Sequence, residues 1–234
     1  MLWRHGQTVY NAQRRFQGQT DIPLNEIGRQ QAASAARYLA ALGPDTIFAS
    51  DLMRATETAG ALARLTGLSV KLDEDLRERH GGQWEGLTDT EIRAQFPEAY
   101  QAWVPPGGET ATQVADRGAA ALERIAEAMP GGSLSVVVGH GANLGMGMAR
   151  LLGIADGVRM LGPFGNCRWS VLGRRNGQWR LMEHNVGSLP VPVPDPEDSR
   201  DADPYAEPAE GAEVGPAEVA ESGPAAAAEG RRAE

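Results

Sequence analysis

The chain has 234 residues, 41% of them hydrophobic, enough for one globular domain of ordinary size with a substantial core. Its formal net charge of −9 lies entirely from Asp195 onward, where twelve acidic residues face Arg200, Arg231 and Arg232; residues 1–194 balance at 19 acidic and 19 basic. That balance gives no basic run for a nucleic-acid surface, the single cysteine, Cys167, excludes an internal disulfide or a cysteine metal cluster, and no apolar run suits a membrane span. Met1 leads directly into the first motif with no signal peptide in view, so the expected setting is the cytoplasm.

The chain opens on a short apolar run that carries Arg4 and His5 to its C-terminal end, followed by Gly6, Gln7 and Thr8. Neutral imidazole is a nucleophile near pH 7 when a neighbour fixes its tautomer, and an adjacent guanidinium presents a planar fork of donors to phosphate oxygens. Residues Arg14 to Leu24 are polar and turn-prone, a loop able to fold over such a site. A helix is predicted after the N-cap Asn25, with Ile27, Ala35, Leu39 and Leu42 on its apolar face, ending at Gly43-Pro44. Thr46–Ala49 reads as a buried strand, and Ser50 as the cap of a second helix striped by Leu52, Ala55, Ala59, Leu62 and Ala63. Arg54 falls off that stripe in the first turn, where a cation is poorly placed for the helix dipole; it suits either an external anion or a surface pair with Glu57 or Asp51.

Ser69–Leu72 reads as a strand, and residues 76–86 mix strand-like alternation with glycines, a pattern for the rim of a sheet. Within it Glu78 is a candidate general acid, or one of several exposed carboxylates. A helix is expected over Asp89–Phe96, with Pro97, Pro105 and Pro106 marking loops. Glu109 or Thr110 opens a longer helix striped by Val114, Gly118, Ala121, Leu122, Ile125 and Met129. Leu134–Val138 is the clearest strand, continuous enough to be buried on both faces of a parallel sheet, and it delivers His140 to the start of a helix running from Ala142 to Leu152. In open α/β sheets ligands bind at such strand ends, and two histidines at two of them mark a site. Arg168–Leu172 and Trp179–His184 around Asn176-Gly177 form a terminal hairpin, in which His184 is read as structural or exposed. From 188 to 234 the composition shifts to Pro, Ala, Glu, Asp and Gly, too poor in apolar anchors to offset the entropy of ordering, so a disordered tail is expected after a single domain over 1–187.

Taken together these pieces resemble the histidine phosphatase superfamily, in the branch related to cofactor-dependent phosphoglycerate mutase. The matching residues are Leu2 to Thr8 with Asn11, Gln17-Gly18, Asp21 with Pro23-Leu24, Ser50 to Leu52 with Arg54-Ala55 and Thr58-Ala59, Leu76 to Glu78 with Gly82 and Trp84 to Leu87, Gly107 to Glu109, and Val138 to Gly141. They occur in family order, and the chain is most similar to enzymes of the actinobacterial glucosyl-3-phosphoglycerate phosphatase type. The resemblance implies a three-layer α/β sandwich with a mostly parallel central sheet. It also implies roles: His5 attacks phosphorus to form a phosphohistidine, Glu78 protonates the leaving group and then activates water, and Arg4, Arg54 and His140 hold the equatorial oxygens. Asn11, Gln17 and Gly18 hold the phosphate or its ester group. No metal and no cofactor are required, the partner is a small phosphorylated substrate, and a homodimer is the expected assembly.

Members of that family have a longer apolar strand before Arg-His-Gly, so either the natural start lies upstream of Met1, the expected case, or the protein is less stable than its relatives. Three activities compete. A phosphatase leads; a mutase shares Glu78-Arg79-His80 but carries a long insertion before the Gly-Glu segment, which this chain lacks; a noncatalytic phospho-ligand module would not need the full set of nucleophile, clamp and acid.

Overall fold

The computed structural model describes residues 1–155 and 160–187; the expected tail, 188–234, lies outside the described residues. Strand β1 (Leu2–Arg4) sends Leu2 and Trp3 into clusters on opposite faces of the sheet, and α1 (Val9–Ala12) follows as one turn that the sequence reading did not anticipate. It forms because Thr8 and Asn11 cap each other: the Thr8 hydroxyl accepts the Asn11 amide while the Asn11 side chain accepts the Thr8 amide. Helix α2 (Glu26–Ala41) starts at Asn25, whose side chain accepts from the Gly28 amide at 2.8 Å. Its buried face is Gly28, Ala32, Ala35, Ala36 and Leu39, whereas Ile27 and Leu42, expected on that face, are 53% and 55% exposed. Small side chains let the helix lie close to the sheet, which rotates Ile27 outward and leaves Leu42 past the last turn.

After β2 (Thr46–Ala49), helix α3 (Met53–Thr66) is preceded by Leu52 rather than capped by Ser50, whose buried hydroxyl accepts the Leu52 amide at 3.3 Å. Gly67, at φ +73°, ends α3 in the left-handed conformation. Strand β3 (Val70–Leu72) is short, and residues 76–86 form no strand: they run as tight turns around Glu74–Leu76 and Gly82–Trp84. Gly82 has φ +50°, outside the range of pleated backbone, and lies where a Cβ would come within 2.2 Å of the Pro106 carbonyl, a turn and a close approach that glycine allows. Helix α4 (Asp89–Gln95) is followed at once by α5 (Pro97–Gln101), correcting the loop expected at Pro97; proline at the first helical position forfeits an amide that had no partner.

Helix α6 (Ala111–Glu127) is opened by a reciprocal cap between Thr110 and Gln113, stops short of Met129, and crosses α7 (Gly141–Leu151), which follows β4 (Ser135–Gly139). The two helices touch at Gly118 and Gly147, where a Cβ on Gly147 would sit 2.8 Å from the Gly118 backbone. Strands β5 (Trp169–Arg175) and β6 (Gln178–Val186) pair through Asn176-Gly177, both at positive φ, the hairpin turn that matches strand twist.

The sheet has six strands in the order β3-β2-β4-β1-β5-β6, parallel across the first four, with β5 antiparallel to β1 and to β6. Helices α2 and α3 cover one face through Leu39, Leu62 and their alanines, and α6 and α7 cover the other through Leu122, Ile125, Leu144 and Met148. Each fully buried Leu or Ile contributes about 1.5–3 kcal/mol. Between β1 and β4 the register sets Arg4 beside Gly139, so both strands release their next residues, His5 and His140, at one edge. A separate cluster of Trp84, Ile92, Tyr100 and Trp103 packs the segment between Glu78 and Gly107 into a compact flap of its own.

Candidate active site

Burial and hydrogen bonding define the two histidines. His5 and His140 are fully buried with ring centroids 5.1 Å apart. His5 Nδ1 lies 2.7 Å from the Gly6 carbonyl, and because a carbonyl only accepts, Nδ1 carries the proton and Nε2 keeps its lone pair. For His140 the logic reverses: the Arg54 Nε–H donates to its Nδ1 at 3.2 Å, so the neutral ring holds its proton on Nε2, a buried nitrogen without a partner among the described residues. Burial pushes both imidazoles well below 6.5, and the nearby Arg54 and Arg4 guanidiniums push in the same direction. One ring thereby leaves an unprotonated Nε2, and the other an Nε2–H able to donate.

Of the two settings open to Arg54, the surface pair is the one that fails. Arg54 is neither exposed nor paired with Glu57 or Asp51, which bind Arg29 and Arg77. Instead its side chain turns inward from the first turn of α3 and donates from Nη1 to the Thr20 carbonyl at 2.9 Å and from Nη2 to the Gly18 carbonyl at 2.7 Å. Counting the bond to His140, three of its five N–H groups are used among the described residues and two remain. Desolvation lowers its pKa to about 10, with Glu78 the largest opposing influence, so it stays charged at neutral pH. Gly18, at φ +53°, could not carry a side chain, since a Cβ would lie 2.1 Å from Glu85 Oε1. The Glu85 carboxylate shapes this loop by accepting from Gln19 N, Thr20 Oγ1 and Gly81 N at 2.6–2.9 Å.

Arg4 donates to the Phe164 carbonyl and packs over Gly141, where a Cβ would stand 3.5 Å from its Nε. Asn11 and Gln17 both turn their carbonyl oxygens to Thr8: Asn11 Oδ1 accepts the Thr8 amide at 3.1 Å, and Gln17 Oε1 accepts its hydroxyl at 2.9 Å. Each amide NH₂ therefore faces away from Thr8. Thr8 is fully buried and belongs to the opening motif, yet its composition alone does not reveal that it orients two other side chains.

Glu78 is buried rather than one of several exposed carboxylates. Its Oε1 accepts from Arg79 N at 2.8 Å and Asn143 N at 3.1 Å, and its Oε2 from Ala142 N at 3.2 Å, so it sits on the N-terminus of α7 beside His140. Arg117 holds the backbone beneath it, donating to the carbonyls of Asp75, Arg77 and Glu78 and clamping Glu109 with two bonds of 2.7 and 2.9 Å. Burial pushes the Glu109 carboxyl up, but Arg117 and the His80 amide more than offset it and leave the acid below its usual range. Glu109 is thus a structural anion within this scaffold. His184, read as structural or exposed, is structural: it bridges the Ser170 hydroxyl and the Gly162 carbonyl. The described residues contain no group of three or more His, Cys, Asp or Glu able to hold a metal ion, and no helix among them is long and apolar enough to cross a membrane.

Buried neutral imidazoles, two guanidiniums and a carboxylate at the end of parallel strands define a phosphomonoesterase of the three-layer α/β type. The chain belongs to the histidine phosphatase superfamily, branch 1, whose family model matches residues 1–187. It is 41% identical over 212 residues to the glucosyl-3-phosphoglycerate phosphatase of Mycolicibacterium vanbaalenii, covering 80% of this chain and 94% of that one. It is 36% identical over 185 residues to a probable phosphoglycerate mutase, GpmB, of Salmonella paratyphi C, covering 76% and 86%. Among solved structures, mycobacterial glucosyl-3-phosphoglycerate phosphatase Rv2419c complexed with VO3 superimposes with a TM-score of 0.75 at 39% identity, covering 80% of this chain and 98% of that chain.

Proposed function

We propose that the protein hydrolyses a small phosphorylated metabolite, a phosphoglycerate or sugar phosphoglycerate, through a phosphohistidine on His5. The observation that carries this reading is the His5 ring itself, neutral, buried and locked by the Gly6 carbonyl with Nε2 unprotonated. In the first step Nε2 attacks phosphorus as the P–O ester bond breaks, and Glu78 in its acid form gives its proton to the departing alkoxide. In the second, the Glu78 carboxylate takes a proton from water as the oxygen attacks phosphorus and the P–N bond breaks, releasing phosphate. Arg4, the two unused N–H groups of Arg54 and His140 Nε2–H hold the equatorial oxygens, while Asn11, Gln17 and the Gly18 loop position the phosphate and its ester group. The residues named require no metal and no cofactor.

The substrate class draws support from the relatives named as glucosyl-3-phosphoglycerate phosphatases. A relative named as a probable phosphoglycerate mutase favours the second reading, transfer of the phosphoryl group back to a glycerate. Hydrolysis is preferred because the short Glu78–Gly107 segment is consumed in packing its own aromatic cluster, which leaves little chain to exclude water. A free buried thiol at Cys167 and a phosphorylated metabolite both suit the cytoplasm, and a homodimer is the proposed assembly, to be read by light scattering. Incubation with p-nitrophenyl phosphate, 3-phosphoglycerate and a sugar-linked phosphoglycerate separates the readings. Release of inorganic phosphate supports hydrolysis, isomerised phosphoglycerate without release supports the mutase, and binding without turnover refutes both.

A further inference from the structure

We propose that Asn166, on the loop between α7 and β5, is a positioning residue of the phosphate pocket that aims the Asn11 amide at the bound phosphoryl group. The Asn166 side chain spends its two N–H bonds on two targets: Nδ2 lies 3.1 Å from the His5 carbonyl and 3.3 Å from Asn11 Oδ1. The His5 carbonyl also accepts the Cys167 amide at 3.2 Å, so two adjacent residues of this loop grip one carbonyl of the proposed nucleophile.

The Asn11 side chain has two possible orientations related by a flip, and only one is compatible with its neighbours. The Thr8 backbone N–H and Asn166 Nδ2 can only donate, and both point at the same Asn11 atom, which must therefore be the oxygen. Its NH₂ group makes no hydrogen bond among the described residues and is presented, already oriented, to a ligand. Without Asn166 this orientation is held by Thr8 alone, through its amide and through a hydroxyl 3.1 Å away whose single proton is shared with Gln17 Oε1, and a flipped Asn11 would turn an acceptor toward phosphate oxygens.

The loop is itself anchored from the far edge of the sheet. Asn185 Oδ1 accepts the Gly165 amide at 2.9 Å, His184 Nε2 bonds the Gly162 carbonyl at 2.8 Å, and the Phe164 carbonyl takes the bond from Arg4. The hairpin β5–β6 thus reaches the pocket through one loop that touches Arg4, His5 and Asn11. The assignment rests on the phosphatase reading only in taking this pocket as a phosphate site.

The test is a double-mutant cycle, Asn11→Ala and Asn166→Ala alone and combined, read by calorimetric titration with inorganic phosphate and by KM and kcat on p-nitrophenyl phosphate. Asn166→Ala is expected to weaken phosphate binding about tenfold, the scale of one hydrogen bond to a charged group, and less than about twofold once Asn11 is already alanine. Losses that multiply, or no loss in the single variant, overturn the proposal, because a residue that merely ties down the loop acts whether or not Asn11 is present. Should Asn166→Ala fail to fold, Asn166→Ser, which fills the same space with one donor, takes its place in the cycle with the same criterion. Phosphate binding without turnover in the unmutated protein refutes the hydrolytic reading and leaves the cycle decisive for Asn166, whereas no phosphate binding refutes both.

Discussion

Lowering the pH from 7.5 to 5.5 should destabilise the fold through His5 and His140. Both rings are buried and neutral, with pKa values held well below 6.5 by desolvation and by Arg54 and Arg4, whereas in the unfolded chain each titrates near 6.5. The unfolded state therefore binds more protons as the pH falls through 6.5, and stability drops with it; well above 6.5 neither state is protonated and the contribution is complete. At pH 5.5 one such histidine protonates favourably only when unfolded, which costs about 1.4 kcal/mol, and the pair costs about 2.8 kcal/mol. For a domain of this size that is roughly 6–11 °C in Tm. The assay is thermal and urea unfolding at pH 7.5, 6.5 and 5.5 for the unmutated protein and for His140→Asn. Because carboxylates and the remaining histidines are common to both, the difference between the two proteins isolates one ring. The variant should lose about half of the histidine-linked decline. An identical pH dependence in His140→Asn would refute the claim that this ring is buried in its neutral form.

His5→Ala should abolish turnover and phosphoenzyme labelling together, and residual activity above about one per cent would argue for direct attack by water. Glu78→Gln should slow substrates with poor leaving groups far more than p-nitrophenyl phosphate, whose phenolate departs without protonation; equal losses would remove Glu78 from the acid role. Arg54→Lys keeps the charge but loses the fork that holds the Gly18 and Thr20 carbonyls with His140. It should cut kcat/KM at least a hundredfold and raise proteolytic susceptibility in residues 17–20, and near-normal kinetics would show that charge alone suffices. Gly18→Ala should lower both Tm and activity, since the residue sits at φ +53° with its Cβ direction blocked by Glu85, and unchanged unfolding would contradict that geometry.

Much of this protein was legible in its residues because the signals were local or short-period. Asn25 caps its helix through its own side chain, Val136–Val138 are apolar enough for only a doubly covered strand, and Asn176-Gly177 specifies a hairpin turn. The two histidines at strand ends, each followed by glycine, imply one shared site, and their ring centroids lie 5.1 Å apart. Other features depend on partners far away in the chain. Arg54 looked misplaced because a helix dipole is all that local sequence shows around it; its buried setting is created by carbonyls 34 and 36 residues upstream and by a histidine 86 residues downstream. Residues 76–86 alternate like a strand, yet contacts with Pro106 and Gly108 force turns. Asn166 gave no signal, since an asparagine in a loop is unremarkable until folding brings it within 3.3 Å of Asn11, 155 residues away. Periodicity and capping thus determined which elements form, while the orientation of each amide, ring and guanidinium in the pocket was decided by tertiary contacts, because hydrogen-bond direction depends on which donors and acceptors the fold brings face to face.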